Sequence, residues 1–185
     1  MFGGTRGVLR TRVGYAGGTK KCPTYQDLGD HTEAVNIIYD SREVTFEHLL
    51  TLFWSNHNPT LSSRQQYMSI IFYHDDAQKQ LAQKSIISAK EKHKSNEIHT
   101  EIRPNSTFFN AEYYHQKYTL QYLHPWLVVA LQIQQGDDLI RSHACAKVNG
   151  FLSGHGSIEQ LAEINEYLGL TKKIIEYIKL QIKTQ

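Results

Sequence analysis

Between Val8 and Arg103 short runs rich in β-formers alternate with stretches whose apolar residues recur at helical spacing, and this alternation is what most limits the folds open to the chain. Val8 to Tyr15 reads as a strand that runs into Gly14, Gly17 and Gly18, where a missing β-carbon permits a tight turn or a close backbone approach. Ala34 to Tyr39 reads as a buried strand closed by Asp40 and Ser41. Thr45 to Asn56 spaces Phe46, Leu49, Leu50, Phe53 and Trp54 as one face of a helix, and Pro59 ends the pattern. Tyr67 to Tyr73 is again β-rich, and Asp75 or Asp76 offers an N-cap to a helix from Ala77 to His93 that buries Leu81, Ile86 and Ala89. Ile98 to Arg103 gives a further strand before Pro104, and Ala111 to Tyr122 a further helix carrying Tyr113, Tyr114, Tyr118 and Tyr122. The order strand, strand, helix, strand, helix, strand, helix predicts an α/β (α+β) class, a two-layer sandwich with a mixed sheet.

From Gly136 onward the chain is punctuated by Gly150, Gly154 and Gly156 and then shows helical patterns at Ile158 to Leu168 and Thr171 to Ile182. We expect a main domain over 1–135 and a helical C-terminal extension over 136–185 packed on it, through the stripe Ile174, Ile175, Ile178 and Ile182. With 185 residues, 40% hydrophobic and 21% charged, the chain suits one ordinary core. A formal net charge of +2 without a basic stripe argues against a nucleic-acid partner. The longest apolar run, Trp126 to Leu131, falls well short of the roughly 20 residues that span a bilayer, so no membrane association is expected. Nothing in the N-terminal residues reads as a targeting signal, and the default location is cytoplasmic. Cys22 and Cys145 are far apart and form no Cys-x-x-Cys pair, and no His-x-x-x-His pair stands near an acid, so neither a disulfide framework nor a metal is expected.

Several ordered blocks carry more information than composition does. They are Thr-Arg-Val-Gly-Tyr-Ala-Gly-Gly at Thr11 to Gly18, Pro-Thr-Tyr at Pro23 to Tyr25, His-Thr-Glu-Ala-Val at His31 to Val35, Phe-Trp-Ser-Asn-His-Asn-Pro-Thr at Phe53 to Thr60, Arg-Gln-Gln-Tyr at Arg64 to Tyr67, and Ala-Glu-Tyr-Tyr-His-Gln-Lys-Tyr at Ala111 to Tyr118. In this order and spacing they resemble the A-type peptide methionine sulfoxide reductases, over roughly the first two thirds of the chain. The resemblance implies a ferredoxin-like core and the reduction of methionine-S-sulfoxide, in oxidised proteins or free, without a bound cofactor. A cysteine thiolate attacks the sulfoxide sulfur, an acid protonates the oxygen, and the resulting sulfenic acid is restored by an external thiol such as thioredoxin.

Carried over residue by residue, the resemblance implies that Glu33 is the general acid, expected at the desolvated entrance to an apolar strand. Tyr25 and Tyr67 match the tyrosines that hold the sulfoxide oxygen, and Tyr118 is a further candidate of that kind. His31 precedes Glu33 by two residues, which on an extended segment puts both side chains on one face, where the imidazole would orient the acid; a surface histidine in a turn fits the spacing equally well. Cys22 is either a resolving thiol or an incidental small residue, and Cys145 a buried structural one.

The sequence departs from the family pattern in places. The Gly-Cys-Phe-Trp motif that holds the nucleophile would lie before Phe2, where only Met1 stands, so catalysis by the chain as written is expected to fail. A truncated sequence is the favoured explanation, because loss of a central strand would open sheet edges; a catalytically inactive module that binds methionine sulfoxide without reducing it is the alternative. The Tyr25 to Glu33 and Arg64 to Tyr67 segments are shorter than in many relatives, leaving Asp30 or Asn58 to supply polarity lost from the site.

Overall fold

A computed structural model describes residues 1–94, 97–134 and 136–183. The chain divides into two compact units, one formed by Val13–Ala34 and Thr45–Ala111, the other by Met1–Arg12, Val35–Val44 and Glu112–Gln185. Strands β1 (Val8–Ala16), β2 (Thr32–Tyr39), β3 (Ile70–Tyr73), β4 (Glu101–Pro104) and β5 (Phe109–Asn110) form a three-stranded sheet of order β2-β1-β5 and a separate parallel pair β3-β4. The α+β class read from the sequence is the one observed, with its strands shared between those sheets.

In the unit that holds β3 and β4, helix α1 (Phe46–Ser55) follows β2, and α2 (Asp76–His93) makes the crossover that a parallel pair requires. Thr45 caps α1 by accepting from the N–H of His48, and Asp75 caps α2 by accepting from Gln78. Leu50 and Trp54 of α1, Ala82 and Ala89 of α2 and Ile71 of β3 are buried together. Leu81 and Ile86, expected in the core, sit at its half-buried margin. The Trp54 indole satisfies its N–H on Ser85 Oγ at 2.9 Å. Gly14 pairs with Asn110 across β1 and β5, and a β-carbon there would stand 2.1 Å from the Phe109 carbonyl oxygen. No residue with a side chain fits that approach.

The other unit is built on helices α3 (Pro125–Ala130), α4 (Asp137–Arg141), α5 (His143–Leu152), α6 (Ile158–Leu168) and α7 (Lys172–Lys183). α6 starts on a reciprocal capping box between Ser157 and Gln160. Ile174 and Ile178 of α7 are buried with Leu120, Leu127, Phe151 and Leu161, and Ile175 and Ile182 flank them. The helix expected over Ala111 to Tyr122 is absent: a 3-10 turn covers Tyr113–His115 and a π-helical turn Thr119–Leu123. Between them Lys117 takes a left-handed φ of 45°, and its ammonium hydrogen-bonds the carbonyls of Thr11 and Ile140. Those tertiary bonds override the local helical pattern.

Candidate active site

A single 3-10 turn assembles the residues with chemistry to offer. The N–H of Tyr67 donates to the Arg64 carbonyl at 2.9 Å, closing the turn over Gln65–Tyr67. Tyr67 was expected to open a strand, but β3 begins only at Ile70, because the turn is tied sideways to the start of β2. Thr32 Oγ1 donates to the Gln65 carbonyl at 2.8 Å, and Gln65 Nε2 donates back to Thr32 Oγ1 at 3.3 Å and to the Asp30 carbonyl at 3.2 Å. The next residue, Gln66, donates from Nε2 to Glu33 Oε1 at 2.8 Å. The third, Tyr67, has its hydroxyl 3.4 Å from that of Tyr25.

Tyr25 is carried by a tight turn in which Thr24 and Asp27 exchange backbone hydrogen bonds of 3.2 and 3.0 Å, and an ion pair joins Lys20 to Asp27. Tyr25 and Tyr67 are 39% and 53% exposed, so the phenols stand on an open surface. The Tyr67 phenol is pushed above its ordinary range by its hydrogen bond with Tyr25, then by desolvation, then by the charges of Tyr25 and Glu33. It therefore stays protonated and able to donate near neutral pH. Glu33 was expected in a desolvated position; it is exposed, because its side chain leaves β2 on the solvent side, between buried Thr32 and half-buried Ala34.

His31 does not share a face with Glu33. Its N–H donates to the Leu28 carbonyl at 3.3 Å and β2 begins one residue later, so the two-residue alternation does not extend back to it. The ring is completely buried, edge-on to Phe109. Nδ1 accepts the N–H of Gly18 at 3.1 Å, and Nε2, left as the protonated nitrogen, donates to the Lys20 carbonyl at 2.8 Å. Both nitrogens are spent on backbone, and the imidazole pins the 18–20 segment. A β-carbon on Gly18 would approach the backbone nitrogen of His31 and the Asp30 carbonyl carbon to 2.7 Å, which accounts for glycine there.

Asp30 and Asn58, considered as substitute polar groups, are committed locally. Asp30 accepts from the Lys20 and Thr19 N–H groups and the Thr19 hydroxyl, which hold its carboxyl down to about 2. Asn58 Oδ1 accepts from the N–H and hydroxyl of Thr60. Cys22 is exposed in a left-handed backbone conformation, φ 52°. Tyr118 belongs to the other unit, where it is exposed and stacks on Tyr122 with ring centroids 4.8 Å apart. Cys145 is buried in the core of that same unit, and burial pushes its thiol up. Among the described residues no cluster of three or more His, Cys, Asp or Glu side chains could hold a metal ion, and no helix is long and apolar enough to cross a membrane.

One turn thus joins Tyr67 to Tyr25 and, through Gln66, reaches Glu33, and it adds Gln65, Gln66 and Thr32, which sequence reasoning did not single out. The readable signal was the amide pair in Arg-Gln-Gln-Tyr, next to a candidate tyrosine. Two phenols and a carboxyl on one open surface suit an oxygen that gains negative charge as a neighbouring bond breaks.

The peptide methionine sulfoxide reductase family model matches residues 1–146. A Drosophila melanogaster protein named peptide methionine sulfoxide reductase is 45% identical over 179 residues, 96% of this chain and 72% of that one. The peptide methionine sulfoxide reductase MsrA of Methanococcoides burtonii is 43% identical over 128 residues, 63% of this chain and 84% of that one. Among solved structures, Mxr1 from Saccharomyces cerevisiae in reduced form superposes with a TM-score of 0.59 at 28% identity, covering 63% of this chain and 73% of that one. Methionine sulfoxide reductase A of Corynebacterium diphtheriae gives a TM-score of 0.57 at 31% identity, covering 67% and 68%.

Proposed function

The chain belongs to the peptide methionine sulfoxide reductase family, and from that membership we propose that its Tyr25, Glu33 and Tyr67 cluster binds the oxygen of a methionine-S-sulfoxide, protein-bound or free, and protonates it during thiol-dependent reduction. The observation that carries this reading is a single turn in which Gln66 binds the Glu33 carboxyl and the next residue, Tyr67, sets its phenol 3.4 Å from that of Tyr25.

In the proposed step a thiolate attacks the sulfoxide sulfur and the S–O bond breaks. The oxygen takes the Glu33 proton and ends on the attacking thiol as a sulfenic acid, while the sulfide leaves as methionine. The substrate sulfur gains the electron pair that the thiol sulfur loses, so one proton balances the step. A dithiol reductant of thioredoxin type then returns the sulfenic acid to thiol, releasing water and forming its own disulfide. Tyr25 and Tyr67 donate to the oxygen as its charge grows, and each ring walls the site. Cys145 is buried and takes no part; Cys22 is exposed and is the candidate resolving thiol of an alternative return, in which it condenses with the sulfenic acid, releasing water, and leaves a disulfide that the external dithiol reduces by exchange. Both thiols stay reduced in a compartment such as the cytosol, where the reductant is also found.

The test is turnover of a peptide methionine-S-sulfoxide with dithiothreitol, followed by chromatography. The Tyr25, Glu33 and Tyr67 cluster is expected to bind the peptide through its sulfoxide oxygen. In a chain that carries a Gly-Cys-Phe-Trp motif upstream of Phe2 conversion is expected, and there Glu33→Gln should cost about a hundredfold to ten-thousandfold in rate. Full rate in Glu33→Gln would remove Glu33 as the acid. Conversion by the chain as written, lost in Cys22→Ser, would assign the attack to Cys22.

A further inference from the structure

We propose that Gln66 is a positioning residue for this site: its side-chain amide decides which oxygen of Glu33 carries the proton. The inference rests on the reading of Glu33 as the proton donor and adds a group that acts through it.

Glu33 is exposed on β2, and an exposed glutamate ordinarily samples many rotamers, a freedom that is lost when the side chain is fixed. What fixes it is the 2.8 Å bond from Gln66 Nε2 to Oε1. The amide is itself held in place, because the residue before it is stapled to Asp30 and Thr32 and the residue after it meets Tyr25. Each residue of the turn therefore makes one link of the site, and Gln66 makes the link to the acid.

The direction of that bond matters chemically. An ionised carboxylate only accepts, so the amide has to present its nitrogen, as it does. When Glu33 takes up a proton, the oxygen already receiving an N–H is the poorer place for it, because two hydrogens would then compete for one oxygen. Oε1 stays the carbonyl oxygen and the proton goes to Oε2. A glutamate without this partner divides its proton between both oxygens and its carboxyl among many orientations. The opposite amide orientation would let the Gln66 carbonyl capture the proton that the sulfoxide needs.

The experiment uses the full chain and the small probe N-acetyl-methionine-(S)-sulfoxide N-methylamide, with affinity read by NMR titration. Gln66→Met keeps length and removes the donor, and should weaken binding roughly three- to tenfold, the worth of one hydrogen bond. The same loss should appear when Gln66→Met is added to Glu33→Gln, whose amide also accepts from Gln66. It should vanish when Gln66→Met is added to Glu33→Leu, which has nothing to position. Gln66→Glu should bind weakly at pH 7, where two carboxylates oppose each other, and recover at pH 4, where the introduced carboxyl can donate to Oε1; a purely packing role would not move with pH. If Gln66→Met melts early, this recovery decides the matter. Wild-type affinity in both Gln66→Met and Gln66→Glu, with binding weakened in Glu33→Leu, would overturn the role of Gln66 alone. Unchanged binding in Glu33→Leu, or no binding by the wild type, would overturn the reading of the site itself.

Discussion

The hydroxyl oxygens of Tyr25 and Tyr67 lie 3.4 Å apart across 42 residues of sequence. One phenol donates into that contact and the other accepts, so whichever accepts still has its own hydrogen to give to a third oxygen. Either tyrosine can take that part. Tyr25→Phe or Tyr67→Phe should each weaken sulfoxide binding about twofold to fivefold, less than one full hydrogen bond, because the partner turns to replace it. The double substitution should lose more than the two single losses combined. A strictly additive result, measured by titration calorimetry, would mean that the hydroxyls act separately.

His31 holds the segment that leads to Tyr25 by using both ring nitrogens on backbone, at Gly18 and Lys20. His31→Phe keeps a ring against Phe109 and strands the Gly18 N–H and the Lys20 carbonyl. Each stranded group costs about 1–3 kcal/mol when buried and less where water reaches it, so a loss of about 2 kcal/mol is expected in urea denaturation. Stability within about 0.5 kcal/mol of wild type would show that water satisfies both groups.

Burial holds the Lys117 and Lys147 amines near about 8, below their ordinary 10.5. Between those values the unfolded chain binds more protons than the folded one, so stability rises with pH, by at most about 1.4 kcal/mol per pH unit for each lysine. Cys145 works in the opposite sense above its ordinary 9.0, because burial pushes its thiol up and folding then resists its ionisation. The net rise should be steepest from pH 8 to 9 and flatten beyond. Melting temperature against pH should show this shape in the wild type and a shallower slope in Lys117→Met and in Lys147→Met. A melting temperature that falls from pH 8 to 9 would contradict it.

The elements that the sequence revealed well are those decided locally. The helix Asp76–His93 follows from its Asp75 cap and apolar spacing, and Ile158–Leu168 from its capping box and the Gly169 stop at φ 61°. Where tertiary bonds decide, the pattern misled. Lys117, bound to the Thr11 and Ile140 carbonyls, breaks the helix that Ala111 to Tyr122 predicts. Thr32 and Gln65 turn the approach to β3 into a 3-10 turn, so Tyr67 reaches Tyr25 from a loop. Family resemblance singled out Glu33, Tyr25 and Tyr67 as candidates, and the phenol contact joins two of them. The exposure of Glu33 and the part of Gln66 were not legible, because both depend on which residues face each other across a gap of 33 positions.

The most direct measurement is a titration of the ¹⁵N-labelled full chain with N-acetyl-methionine-(S)-sulfoxide N-methylamide, followed by the same titration with the (R) isomer. Three groups acting on one oxygen, as proposed, should distinguish the isomers. Chemical-shift changes should concentrate at Tyr25, Glu33, Gln66 and Tyr67, with an affinity for the (S) isomer at least about tenfold higher, equivalent to about 1.4 kcal/mol, and with that preference lost in the more weakly binding Glu33→Leu. Equal response to the two isomers, or changes centred away from these residues, would contradict it.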